Sequence, residues 1–179
     1  MKVTEAIARK RAVRNYRPEA IDPEKKFQIL DAGRRAQSSR NTQPWRFILV
    51  ELPNTLTQLA KLGNYAGHLA QAAAGICILT PDPTENVSIM FDAGQAAAYM
   101  QLVALELGVG SCLIKLHRPE AARDLLGFPI ELHLNFVVAL GYPEKPSELE
   151  PPARKGGRQP LESIAYFERW RGNEADFDT

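Results

Sequence analysis

The sequence predicts an α/β or α+β protein with a mixed central sheet, and three observations carry that prediction. Helix-spaced and strand-like apolar segments alternate along the 179 residues. Two short apolar runs, at 74–80 and 111–114, have the look of strands buried on both faces. A long helical pattern over 88–107 is apolar around most of its circumference, as befits a helix central to the core or shared with a partner subunit.

The individual elements follow in order. Residues 4–11 form a short helix that Thr4 could cap, and Asn15-Tyr16-Arg17-Pro18 leaves it extended, because a residue before proline avoids the helical region. Asp22-Pro23 starts the next helix, with Asp as N-cap and Pro at the first position, and Phe27, Ile29 and Leu30 carry it to about Ala36. Residues 37–43 are polar turn-formers, and 45–50 form a strand. A third helix covers 55–62 and closes on Gly63. After the strand at 74–80 and the long helix, Gly108 and Gly110 release the chain into the strand at 111–114. A helix at 119–126 and a strand at 134–140 complete the regular pattern, and Gly141-Tyr142-Pro143 ends it. Three prolines and two glycines without periodicity mark 144–159 as a linker. Apolar residues return in 160–170 and need a surface to pack on, which another subunit could provide. The expected division is a core of residues 1–143 followed by a linker and extension over 144–179.

Composition narrows the function. Apolar residues make up 45% of the chain, and 22 Lys plus Arg against 21 Asp plus Glu leave a net charge of +1. Mean hydropathy is −0.26. That balance gives no support to nucleic-acid or membrane-surface binding. No apolar stretch is long enough for a membrane span, and the charged start lacks a signal peptide, so a cytoplasmic location is expected. Cys77 and Cys112 lie in apolar runs, as buried reduced thiols do, and His68, His117 and His133 show no metal-ligand spacing. No metal is expected.

Two segments carry chemistry. Lys10-Arg11-Ala12-Val13-Arg14 places three cations in five residues near a helix end. A solvated basic end is the plain alternative, but such cations also hold phosphate or stabilise negative charge on a ring. Ser38, Ser39, Asn41 and Gln43 put hydroxyls and amides directly ahead of Pro44-Trp45 and a strand. Turn chemistry explains the serines and the asparagine. Two amides before a core Pro-Trp also suit the donor and acceptor edge of a planar heterocycle.

The ordered set of motifs resembles the nitroreductase family. The matching stretches run from Ala6 to Tyr16 and from Ile29 to Phe47. They continue through Asp92-x-Gly94, Leu107-Gly108-x-Gly110-Ser111-Cys112, Ala139-Leu140-Gly141-Tyr142-Pro143 and Arg158-x-Pro160-Leu161-Glu162-x-Ile164, with Glu168-Arg169-Trp170 after them. The resemblance implies a three-layer α+β fold. Its mixed, mainly antiparallel sheet is flanked by helices, and a C-terminal segment reaches a partner subunit. It implies a homodimeric, FMN-dependent oxidoreductase. Hydride would pass from NADH or NADPH through flavin N5 to a small acceptor, such as a nitroaromatic or quinone, by ping-pong turnover. The alternatives are a flavin-binding protein of this fold without that turnover, or another flavin reaction such as dehalogenation or enone reduction.

By the same resemblance Lys10 and Arg11 stand near the FMN phosphate and ribityl chain, Arg14 near the pyrimidine edge, and Arg158 completes the phosphate site. Ser38, Ser39 and Asn41 belong to a loop that reaches the flavin, in many members from the opposite subunit, and Gln43 braces it. Lys115 and Leu116 lie where backbone meets flavin N5. Ala12 replaces a frequent serine, Gln37 replaces a frequent proline, and Lys115-Leu116 occupies positions that are often glycine. Asn64 and His68 lie near the family's further polar contacts to the ring. No catalytic side chain is assigned.

Overall fold

The computed structural model describes residues 1–150 and 157–170. Among these residues five α-helices, α1 (Val3–Arg9), α2 (Pro23–Arg34), α3 (Pro53–Ala60), α4 (Ser88–Glu106) and α5 (Pro119–Leu126), surround four strands, β1 (Arg46–Val50), β2 (Ala74–Thr80), β3 (Gly110–Lys115) and β4 (His133–Gly141). The strand order is β1-β2-β4-β3, and every neighbouring pair is antiparallel. The fold is therefore α+β.

Helices cover both faces of the sheet. Side chains alternate along β2, so Ile76 and Ile78 face α2 and α4, where Ile29, Ala96, Ala97 and Met100 close the core. Cys77 and Leu79 face the other way, onto Leu56, Leu59, Leu69 and Ala122. Every residue of β2 is buried, which explains why its sequence is apolar without alternation. Both cysteines are free and buried. Burial pushes the Cys77 thiol up to about 12.

Local signals placed most elements well. Asp22 caps α2, its carboxylate accepting from the Glu24 N–H at 2.8 Å, and Pro23 is the first helical residue. The third helix departs from expectation: α3 runs from Pro53 to Ala60 with Lys61 as its C-cap. Gly63 lies beyond the cap and serves a close approach instead. A β carbon there would sit 2.7 Å from the Lys115 carbonyl oxygen.

The segment after α1 runs beside the outer edge of β3. Ala12 forms a parallel bridge with Ser111, and the Val13 N–H donates to the Ser111 carbonyl at 3.0 Å. Val13 packs directly over Gly110, and Tyr16 packs over Gly141, where β carbons would collide. Tyr16 Oη donates to the Val13 carbonyl at 2.6 Å. These contacts hold residues 10–14 in place along the sheet edge. At the other end, Arg9 Nε donates to the Leu149 carbonyl at 3.2 Å, tying the start of the 144–159 stretch back to α1.

Candidate functional site

Fixing residues 10–14 along β3 creates a groove of about 770 Å³, lined by Lys10, Arg11, Ala12, Arg14, Cys112 and Arg158 among others. Arg158, nearly 150 positions away in sequence from Lys10, thus joins the first basic cluster. Lys10 Nζ donates to the Arg11 carbonyl at 2.7 Å, and Arg11 Nη1 donates to the Ala8 and Lys10 carbonyls at 2.7 and 2.9 Å. Elsewhere Arg9, Arg17, Lys26, Arg34 and Arg35 each meet a carboxylate. Among the described residues, Lys10, Arg11, Arg14 and Arg158 meet none. Burial holds the Lys10 ammonium below the ordinary lysine range, with Arg11 and Arg14 pushing the same way against the opposing Cys112. A cluster of this kind raises its own electrostatic energy and is relieved by an anion.

Strand register decides what β3 offers the groove. Antiparallel neighbours alternate between bonded and unbonded pairs. The Leu116 N–H donates to the Asn135 carbonyl at 2.8 Å, on the β4 side, and the Ser111 carbonyl is used on the opposite side. Residues 111, 113 and 115 therefore turn their backbone groups away from β4, which points the Lys115 N–H outward. Leu116 behaves differently from its neighbour. Its N–H is used by the sheet and its side chain, 2% exposed, packs into the core. It does not reach the groove.

The polar loop is held elsewhere. Ser38 Oγ accepts from the Gln43 N–H at 2.9 Å, and Gln43 Nε2 donates to the Asn41 carbonyl at 3.5 Å. The Ser39 N–H donates to Asp92 Oδ2 at 3.1 Å, and Asp92 is itself buried in α4. Arg40, Asn41 and Gln43 all have positive φ, at 52°, 55° and 47°. Three left-handed residues without a glycine mark a strained, pre-shaped loop, and such strain collects at functional sites. Within one chain the loop does not join the basic groove: Ser38, Ser39, Asn41 and Gln43 are all absent from its lining. Gln43 instead borders a surface groove beside Trp45 and β1. Asp92 escaped the reading of the loop. Its signal was a lone acid inside an apolar helical stretch.

Beyond Arg14 the groove continues into a recess of about 110 Å³, bordered by Tyr65, His68, Lys115 and His117. The Leu62 carbonyl accepts from the His117 N–H at 2.8 Å, and His117 Nδ1 accepts from the Asn64 N–H at 3.4 Å, strapping the turn after α3 to the end of β3. His68 is half-buried. Its ring donates to the Tyr65 carbonyl, while Nε2 has no partner. Burial, and then Arg14, hold His68 below the ordinary histidine value, against the smaller opposing effect of that carbonyl. Burial raises the Cys112 thiol, opposed by Arg14 and Lys10. Sequence reading noted His68 only loosely and missed Tyr65 and His117 as neighbours. Their convergence depends on the path of residues 61–71, which carries no motif.

An α+β sheet edged by a cationic groove, with an outward-turned backbone N–H at one end, matches a known class. The Nitroreductase family model matches residues 7–66 and 53–142. The chain is 32% identical over 145 residues to an Archaeoglobus fulgidus protein with the provisional name NADH dehydrogenase/NAD(P)H nitroreductase, covering 77% of this chain and 83% of that one. It is 25% identical over 175 residues to a Thermus thermophilus NADH dehydrogenase, covering 77% and 85%. Among solved structures, it is similar to an FMN-dependent nitroreductase from Clostridium difficile R20291 (TM-score 0.82, 26% identity, 94% of this chain and 100% of that one). The chain belongs to the nitroreductase family, and it is an oxidoreductase of that kind. No helix among the described residues is long and apolar enough to cross a membrane.

Proposed function

We propose that the protein is an FMN-dependent oxidoreductase that uses NADH or NADPH to reduce a small acceptor such as a nitroaromatic or quinone. The observation that carries this reading is the convergence of Lys10, Arg11, Arg14 and Arg158 on one groove whose lining holds no acidic residue among those described. A groove of about 770 Å³ is of nucleotide size, and its unpaired cations suit a phosphate. The residues present fit the cofactor. Lys10, Arg11 and Arg158 would hold the phosphate, Arg14 the pyrimidine edge, and the Lys115 N–H a ring nitrogen. Ala12 adds no hydroxyl, so the phosphate grip falls to the cations. Bound there, the flavin supplies the redox chemistry, taking hydride from reduced nicotinamide and giving it to the acceptor. The protein's own share is position and fixed charge: Arg14 stabilises negative charge on the ring, and the apolar floor beside Leu113 excludes water.

A homodimer completes this reading. The Ser38–Gln43 loop is shaped for recognition but lies away from its own groove, so a second copy would bring it to the flavin. The same partner would cover Leu161, Ile164 and Trp170, which are 63%, 57% and 76% exposed. Residues 144–179 would then be the extension that joins the two copies. The test is an absorbance spectrum of the purified protein followed by anaerobic titration with each nicotinamide. A yellow protein bleached by one or both supports the reading. A yellow protein that neither bleaches is a flavin-binding protein without this turnover, and a protein that takes up no FMN overturns the cofactor assignment.

A further inference from the structure

We propose that Gln101 is a further cofactor-binding residue, whose side-chain amide holds the hydroxyl-bearing chain between the ring and the phosphate of FMN. The inference rests on the flavin reading above and adds a residue that decides which flavins the groove accepts.

Its basis is the chemistry of the groove wall. Lys10, Arg11, Arg14 and Arg158 donate hydrogen bonds and accept none. Such donors suit a phosphate, whose oxygens accept. A sugar-alcohol chain is different, because its hydroxyls donate as well as accept. Burying them without an acceptor is costly. Ala12 brings no hydroxyl to the wall, and the Cys112 sulfur is a weak acceptor. Among the described residues that line the groove, Gln101 alone carries a side-chain oxygen. Its amide both donates and accepts, as a chain of hydroxyls requires.

The helix that carries Gln101 has no use for the amide. Gln101 is half-buried, and no hydrogen bond ties its side chain to another described residue. One turn to either side, Ala97 and Leu105 are buried in the packing of α4. The stretch from Ala96 to Leu105 contains no other amide. Half-buried polar groups need a partner, and the groove is where this one would find it.

The experiment divides the cofactor with three ligands, measuring equilibrium binding to the purified protein by flavin fluorescence. FMN carries ring, chain and phosphate; riboflavin lacks the phosphate; lumiflavin lacks the chain as well. Gln101→Leu should weaken FMN and riboflavin by about tenfold each, and leave lumiflavin unchanged. Lys10→Gln should weaken FMN and spare riboflavin. Gln101→Asn keeps a shorter amide and should recover part of the loss. The ligand-free Gln101→Leu protein should keep the wild-type Tm, because leucine is at least as good a helix former as glutamine. Equal losses for all three ligands, or undiminished binding of FMN and riboflavin, overturn the proposal. A wild-type protein that binds none of the three overturns the flavin reading together with this one, so the two failures are told apart by the wild type alone.

Discussion

Arg14 lines both cavities together with Cys112 and Leu113, and of the three it alone carries a permanent charge. Charge-assisted hydrogen bonds of the kind it offers contribute about 1.5–3 kcal/mol. Arg14→Ala should therefore weaken FMN retention by about tenfold or more, read from flavin content after dialysis, and should lower the reduction potential of what remains. Unchanged content and potential would remove Arg14 from the site. His68 allows a second test at this scale. Its folded value lies below the ordinary 6.5. Below pH 6.5 the unfolded chain therefore binds a proton that the folded chain refuses. Stability present above pH 6.5 is thus lost as pH falls toward the folded value, and His68→Gln should flatten that fall in thermal unfolding profiles. An anion bound beside the ring should raise the His68 titration, which NMR of the imidazole protons would show.

At the level of elements, two contacts hold the site in shape. Gly63 lets the turn after α3 lie against the Lys115 carbonyl, and a β carbon would meet that backbone oxygen at 2.7 Å. Backbone cannot yield as a flexible side chain does. Gly63→Ala should therefore destabilise the fold by about 1–3 kcal/mol and displace the Lys115 N–H, seen as a lower Tm together with lower flavin content. The second contact joins α4 to the polar loop. Asp92→Ala leaves the Ser39 N–H without its acceptor at a cost of about 1–3 kcal/mol. Asp92→Asn keeps an acceptor oxygen and should recover most of the loss. Measuring Tm for both separates the hydrogen bond from the packing of α4.

For the whole molecule, the proposed site is not assembled within one chain, because the Ser38–Gln43 loop stays outside the lining of the basic groove. The basic groove lies along β3, and the strained loop is anchored to Asp92 of α4. Leu161, Ile164 and Trp170 stay exposed, although Tyr166 and Trp170 stack with ring centroids 4.3 Å apart. Burial of a large apolar side chain contributes about 1.5–3 kcal/mol. Trp170→Asp combined with Leu161→Asp should therefore shift sedimentation equilibrium from dimer toward monomer and release FMN, with helix content by circular dichroism preserved. A wild-type monomer that keeps its FMN would refute the shared site.

The sequence by itself determined the alternation of elements, the capping of α2, the buried β2 and the cations at 10–14, because each is a local pattern with a local cause. Motif order also determined the family. The sequence could not decide register, and register separates Lys115, whose N–H turns outward, from Leu116, whose N–H is used by β4. Nor could it decide the use of Gly63, since a helix end and a close approach to a distant strand demand the same small residue. Tertiary structure alone gathered Tyr65, His68 and His117 beside Lys115, and tied Ser39 to Asp92. Such contacts depend on the path of chain between them, and that path follows from packing across the whole sheet.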